Sequence, residues 1–171
     1  MTRVKRPKIC MPNGEDARDC YGTPDHIVLA AMEDDHVKFT VDAAASYENS
    51  KGEKFWDKEK NGLAQDWSVE RVWCNPPYSD IAPWVEKAKE ANLACLLLPV
   101  RTDRDWFAEC TKWATFIDFY RGRIQFVPAH PKIRQTQNYE YSMLVWFYKD
   151  IKEGQGAVCR RRSAASGWLL P

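Results

Sequence analysis

Leu93-Ala94-Cys95-Leu96-Leu97-Leu98, closed by Pro99, is apolar at every position. A half-buried strand would alternate apolar with polar, and six residues are few for a helix. The run therefore predicts a strand covered on both faces, as a central strand of a parallel sheet is. Upstream, Val69 to Cys74 reads as a second strand, and between the two Ile81, Trp84, Val85 and Ala88 recur at helical spacing behind Ser79 and Asp80, both capping candidates. Strand, helix, strand is the unit from which a parallel sheet grows.

The same alternation continues in both directions. Toward the C-terminus, Thr102 or Asp103 opens a helix carrying Trp106, Phe107 and Cys110, and Thr115 to Phe119 is the strand after it. Arg121-Gly122-Arg123 is a tight turn, Ile124 to Phe126 a short strand, Val127 to Tyr139 a polar loop with two prolines, and Tyr141 to Phe147 a final strand. Toward the N-terminus, Val37 to Val41 alternates and ends at Asp42-Ala43-Ala44-Ala45. Before it, Thr23-Pro24-Asp25 begins a helix with Ile27, Val28, Ala31 and Met32 on one face. The pattern weakens from Tyr47 to Gln65, where Lys51-Gly52 and Asn61-Gly62 read as turns and Phe55-Trp56 as a short strand. The expected architecture is an α/β domain over residues 21–150, with a mostly parallel sheet and an antiparallel end. Residues 1–20 read as a flexible basic arm and residues 151–171 as a basic C-terminal tail.

Composition bounds what such a domain does. The chain has 171 residues, is 44% apolar and 29% charged, carries eight tryptophans and has a net charge of +1, as expected for one globular domain. Arg121 with Arg123, Lys132 with Arg134, and the basic residues of both termini form a basic face or a set of separately solvated charges, and both readings stand. The six cysteines show no Cys-x-x-Cys pair and no partnered histidine, which argues against a zinc or redox centre and for reduced thiols in the cytoplasm. No stretch is apolar enough to suggest a membrane span or signal peptide.

The strand from Val69 stops at Cys74-Asn75-Pro76-Pro77-Tyr78-Ser79. The two prolines fix their own φ, remove two backbone donors and hold the residue before each extended, so the corner is stiff. It offers the Asn75 amide oxygen, the Pro76 carbonyl and the flat face of Tyr78, a set that suits a planar group bearing an NH2, such as adenine. A rigid turn capped by asparagine is the plainer reading. Asp42, at the end of its strand, lies where open parallel sheets bind ligands, although a strand-end acid also caps turns.

Taken in order, the Thr-Pro helix start, Asp42 ending a strand, Asp66-Trp67, Trp73-Cys74-Asn75-Pro76-Pro77-Tyr78-Ser79, the Leu-Leu-Leu-Pro strand and Arg121-Gly122-Arg123 resemble the phage-type, Dam-like DNA N6-adenine methyltransferases. The resemblance implies a compact, Rossmann-like class I methyltransferase fold without a separate target-recognition domain, using S-adenosyl-L-methionine and no metal. It implies catalysis at Asn75, Pro76, Pro77 and Tyr78, and cofactor contacts at Thr23, Pro24, Asp42, Ala43, Asp66 and Asn75. It further implies double-stranded DNA with the target adenine flipped out onto Tyr78, and DNA contacts at Arg121, Arg123, Lys132 and Arg134. Two departures stand beside it. Ala43-Ala44-Ala45-Ser46 replaces the family's glycine-rich loop, and the interval from Asp42 to Asn75 is short for two strand–helix units. A methyltransferase of the same fold acting on RNA or a protein amide, and a DNA-binding module without catalysis, are the alternatives. Cys74 precedes Asn75 instead of following a proline, so it reads as a buried, inert thiol.

Overall fold

A computed structural model describes residues 21–128, 140–150 and 152–171. In chain order its elements are β1 (Tyr21–Gly22), α1 (Asp25–Asp34), β2 (Val41–Asp42), β3 (Lys54–Phe55), a 3-10 turn at Gly62–Ala64, β4 (Arg71–Cys74), α2 (Ala82–Ala88), β5 (Leu93–Pro99), α3 (Asp105–Trp113), β6 (Phe116–Arg121), β7 (Val127–Pro128), β8 (Ser142–Tyr148) and β9 (Val158–Ser163). Seven strands form one sheet in the order β3-β2-β4-β5-β8-β6-β9, and β1 pairs with β7 in a separate two-stranded ribbon.

Strand β5 is buried along its whole length, as its unbroken apolar run requires. Its side chains alternate between two cores. Leu93, Cys95 and Leu97 face α1 with Ile27, Val28 and Ala31, whereas Ala94, Leu96 and Leu98 join the core that contains Trp84, Val85 and Cys110 of α2 and α3. The sheet is thus covered by helices on both faces.

All strands of the large sheet run the same way except β8, which is antiparallel to both β5 and β6. The reversed strand is therefore interior and not at the end of the sheet as expected. Ser142 to Phe147 is buried on both faces, a condition that an edge strand does not meet. The outer strand is β9, parallel to β6, and so residues 152–171 supply structure where a basic tail was expected. Arg162 is fully buried there. Its guanidinium reaches Asp118 of β6 at 2.6 Å and Asp34 and Asp35 at the end of α1 at 2.6 and 2.7 Å, while Arg160 holds Asp118 and Asp35 from the neighbouring side.

Smaller differences are local. Of the expected Val37–Val41 strand only Val41 pairs in the sheet, together with Asp42, and Ile124 to Phe126 forms no strand although Ile124 and Phe126 are buried in the core with α1. The N-caps of α2 and α3 are Ile81 and Arg104, and neither helix has a side-chain cap. The short interval from Asp42 to Asn75 is explained by residues 43–53 and 56–70, which return the chain for parallel pairing without an α-helix. Stacked tryptophans cover the sheet in their place. Trp67 lies between Trp56 and Trp84, with ring centres 6.2 and 6.4 Å away, and its indole N–H donates to the Gly62 carbonyl at 2.9 Å.

Candidate active site

Because β2, β4, β5 and β6 are parallel, their C-terminal ends share one rim. Asp42 closes β2, Asn75 follows β4, Arg101 lies two residues beyond β5, and Arg121 closes β6. The register sets Asp42 beside Trp73, and the Ala43 N–H donates to the Trp73 carbonyl at 2.9 Å, so the acid and the Asn75 corner come from adjacent strands. Strand β8 enters the sheet at this same rim through Glu140 and Tyr141.

Asn75 is held from one side. Its amide nitrogen donates to the Tyr21 carbonyl at 3.4 Å, and its oxygen is buried with no hydrogen-bond partner among the described residues. A buried carbonyl-type acceptor without a donor costs free energy, about 1–3 kcal/mol, unless something else supplies the donor. The stiffness expected of the prolines fits the structure: Pro76 is buried and the Pro77 carbonyl accepts from the Asp80 N–H at 3.2 Å. Tyr78 is partly buried, with its hydroxyl donating to the Leu97 carbonyl at 3.4 Å and its ring edge-on to Phe126, 6.5 Å between centres.

The bond to Tyr21 brings the start of α1 to the corner. The N-cap of that helix is Pro24, and no side chain caps it. The Thr23 hydroxyl is a second buried oxygen without a partner among the described residues. Asp42 is 4% exposed and accepts from the backbone N–H groups of Lys51 at 3.0 Å and Ala44 at 3.4 Å. Burial pushes its carboxyl up to about 6, against those two donors and the Lys51 charge, which pull it down. Ala43 lies beneath Gly62, where an added Cβ would stand 2.1 Å from the Ala43 carbonyl oxygen. Glycine is thus required opposite this loop rather than within it.

Not every expected residue reaches the rim. Asp66 is exposed and accepts from Ser68 N–H in its own turn at 2.8 Å, and hydrogen bonding to Ser68 holds its carboxyl below the usual range. The carbonyl of the next residue, Trp67, accepts from Asn92 N–H just before β5, which ties this turn to the opposite end of the sheet. Arg121 and Arg123 are exposed at the rim around Gly122, whose φ of +92° makes the turn, and the Arg123 guanidinium lies 5.5 Å from the Tyr141 ring centre. Lys132 and Arg134 lie outside the described residues. A cleft of about 710 Å³ runs along α1 past Asp25, Met32, Thr40 and Lys51, but its lining includes neither Asp42 nor Asn75.

Residues that sequence reasoning missed are Tyr21, Lys51, Gly62, Arg101 and Glu140. Each acts through a partner distant in the chain, and no local pattern marks such pairs. Cys74, Cys95 and Cys110 are buried free thiols pushed up by burial, Cys110 to about 12. No cluster of metal-ligating side chains occurs among the described residues, and no helix among them is long and apolar enough to cross a membrane.

A mostly parallel sheet with helices on both faces, carrying a buried acid, an amide oxygen without a partner among the described residues and exposed arginines on its carboxyl rim, belongs to the open-sheet α/β class, in which ligands gather at that rim. The sequence description of the DNA N-6-adenine-methyltransferase (Dam) family matches residues 13–167. Two phage proteins, each described as a DNA N-6-adenine-methyltransferase, are similar along most of their length. The protein of Escherichia phage T1 is 33% identical over 84% of this chain and 68% of its own. That of Haemophilus phage HP1 is 31% identical over 76% of this chain and 79% of its own. The chain belongs to the DNA N-6-adenine-methyltransferase (Dam) family, whose members are adenine-specific DNA methyltransferases.

Proposed function

We propose that this protein, as a Rossmann-like class I methyltransferase, transfers a methyl group from S-adenosyl-L-methionine to N6 of an adenine flipped out of double-stranded DNA. The observation that carries this reading is the buried Asn75 oxygen on the carboxyl rim, without a hydrogen-bond partner among the described residues. It accepts one N6 hydrogen, and the Pro76 carbonyl accepts the other. Adenine N6 is a weak nucleophile because its lone pair is delocalised into the ring. Two fixed acceptors localise that pair on nitrogen and aim it outward, which favours a charge distribution met only as the bond forms.

The donor set fits the cofactor. The buried Asp42 carboxylate and the Thr23 hydroxyl, an oxygen without a partner among the described residues, suit a ligand bearing an ammonium group and ribose hydroxyls. Thr23, Pro24, Asp42, Ala43 and Asn75 would hold it, and when bound it supplies a methyl group on a positively charged sulfur. Asp66, exposed and away from the rim, is proposed as a further contact on family resemblance alone. The remaining work is alignment, worth roughly 7–11 kcal/mol in well-oriented systems, and the Pro76-Pro77 corner provides rigidity for it. Tyr78 stacks on the flipped base, supplying about 1–3 kcal/mol toward extrusion. Arg121 and Arg123 on the rim contact phosphate, joined by Lys132 and Arg134. The phage origin of the relatives fits a site of action on DNA in the cytoplasm of a bacterial or phage-infected cell.

Incubation with methyl-tritiated cofactor and separate samples of unmethylated DNA, RNA and bulk protein tests the substrate. Label in DNA, recovered as N6-methyladenine, is the expected result. Label in RNA or protein alone would move the protein to a different substrate, and DNA binding without cofactor affinity would make it a non-catalytic DNA-binding module.

A further inference from the structure

Arg101 and Glu140 face each other across the rim beside the Asn75 corner. The guanidinium holds the carboxylate through two bonds, Nε to Oε1 at 3.1 Å and Nη2 to Oε2 at 2.8 Å. The backbone fixes both ends: Pro99 pairs with Ser142, and the Val100 N–H donates to the Tyr141 carbonyl at 2.8 Å. The Tyr78 hydroxyl donates to the Leu97 carbonyl of β5 at 3.4 Å, and Arg101 follows the end of that strand by two residues. The pair therefore lies near the ring assigned to the flipped base.

Its exposure and its place are at odds with a structural purpose. The side chains are 29% and 41% exposed, and ion pairs that open to water contribute little to stability. A carboxylate on a rim that receives DNA also repels the strand. Yet the two-bond fork that Arg101 gives to Glu140 is the one that arginine gives to a phosphodiester. The neighbouring pair, Arg104 with Asp103, has a single contact at 3.5 Å and shows no such geometry.

We propose that Arg101 is a phosphate contact for the DNA strand seated at Tyr78, and that Glu140 occupies its guanidinium until a backbone phosphate displaces the carboxylate. The inference rests on the reading of this rim as a DNA-adenine methyltransferase site. Glu140 then acts as a specificity residue. DNA that only touches the rim meets a neutralised arginine and a carboxylate, whereas DNA seated deeply enough to exchange one oxyanion for the other gains the contact.

Steady-state methylation of sheared, adenine-unmethylated DNA, with the salt dependence of binding to the same DNA, tests this in wild type, Arg101→Ala, Arg101→Lys, Glu140→Gln and the Arg101→Ala/Glu140→Gln pair. Arg101→Ala is expected to raise KM for DNA about tenfold with kcat largely kept, and to flatten the slope of log affinity against log salt by about 0.9, the change for one lost phosphate contact. Arg101→Lys, which keeps the charge without the fork, is expected to fall between. Glu140→Gln is expected to lower KM for DNA about threefold, as for removal of a weak competing ion pair, and that gain should vanish when Arg101 is alanine. A structural clamp predicts the reverse for Glu140→Gln: a higher KM, a lower melting temperature and an unchanged salt slope. A Glu140→Gln gain that persists without Arg101 also overturns the proposal, because it reports only general charge. Absence of methylation in the wild type would count against the reading of the site, while the salt slopes would still decide the role of Arg101.

Discussion

Asp42 and Asn75 are buried polar groups whose local partners leave something unfinished. For Asp42 this has a titratable consequence. Its carboxyl is raised from 3.8 to about 6 by burial, so the folded protein keeps a proton that the unfolded chain has released. A raised carboxyl makes stability fall as pH rises from about 4 to 6, by on the order of 3 kcal/mol for a gap of this size. If the ionised acid receives the cofactor's donors, affinity moves oppositely. Calorimetry with S-adenosylhomocysteine should show binding about tenfold weaker one pH unit below that titration, and Asp42→Asn should flatten the dependence. A wild-type affinity constant from pH 5 to 7.5 would remove Asp42 from the cofactor site. The sequence displayed Asn75, Pro76 and Tyr78 because their chemistry is local, two prolines locking one corner. It displayed Asp42 as an acid at a strand end, but the donor from Lys51 arrives through a loop and leaves no trace in spacing.

Among the elements, β5 and β8 were legible for the same reason: each is continuously apolar, and each is covered on both faces. The same property also determined that β8 is interior, a consequence that chain order obscured because β8 follows the helical part of the sheet. The stretch from Tyr47 to Gln65 was the least legible. Trp56 of this stretch packs with Trp67, and Trp67 with Trp84 of α2, to give the covering that helices give elsewhere, and rings drawn from separate segments have no period. Gly62 is the joint of that region, since its Cβ would overlap the Ala43 carbonyl and press on Trp84. Gly62→Ala is expected to cost about 1–3 kcal/mol in urea unfolding, as overpacking does, and to weaken S-adenosylhomocysteine binding by moving the loop after Asp42. Unchanged affinity in a destabilised variant would separate Gly62 from the site.

The whole molecule is closed by its last strand. Arg160 and Arg162 carry β9 onto a sheet whose Asp118 also accepts from the Trp146 indole at 3.0 Å, and the Leu169 N–H donates to Asp34 at 2.9 Å. The sequence presents this stretch as basic and therefore solvated, because the three acids that bury it lie far upstream. Removing one member strands the others without compensation, so Arg162→Ala should lower unfolding free energy by about 3–5 kcal/mol, and a loss below 1 kcal/mol would mean that the network is not buried in solution. The chemistry proposed for the carboxyl rim of this sheet rests on Asn75. Mass-spectrometric counting of N6-methyladenine in DNA treated with wild type and with Asn75→Ala, at saturating cofactor and matched melting temperature, examines it most directly. Methylation by the wild type, falling about 10²–10³-fold in the variant as for loss of one preorganised polar contact, is the predicted result. An Asn75→Ala protein that methylates DNA at the wild-type rate would contradict it.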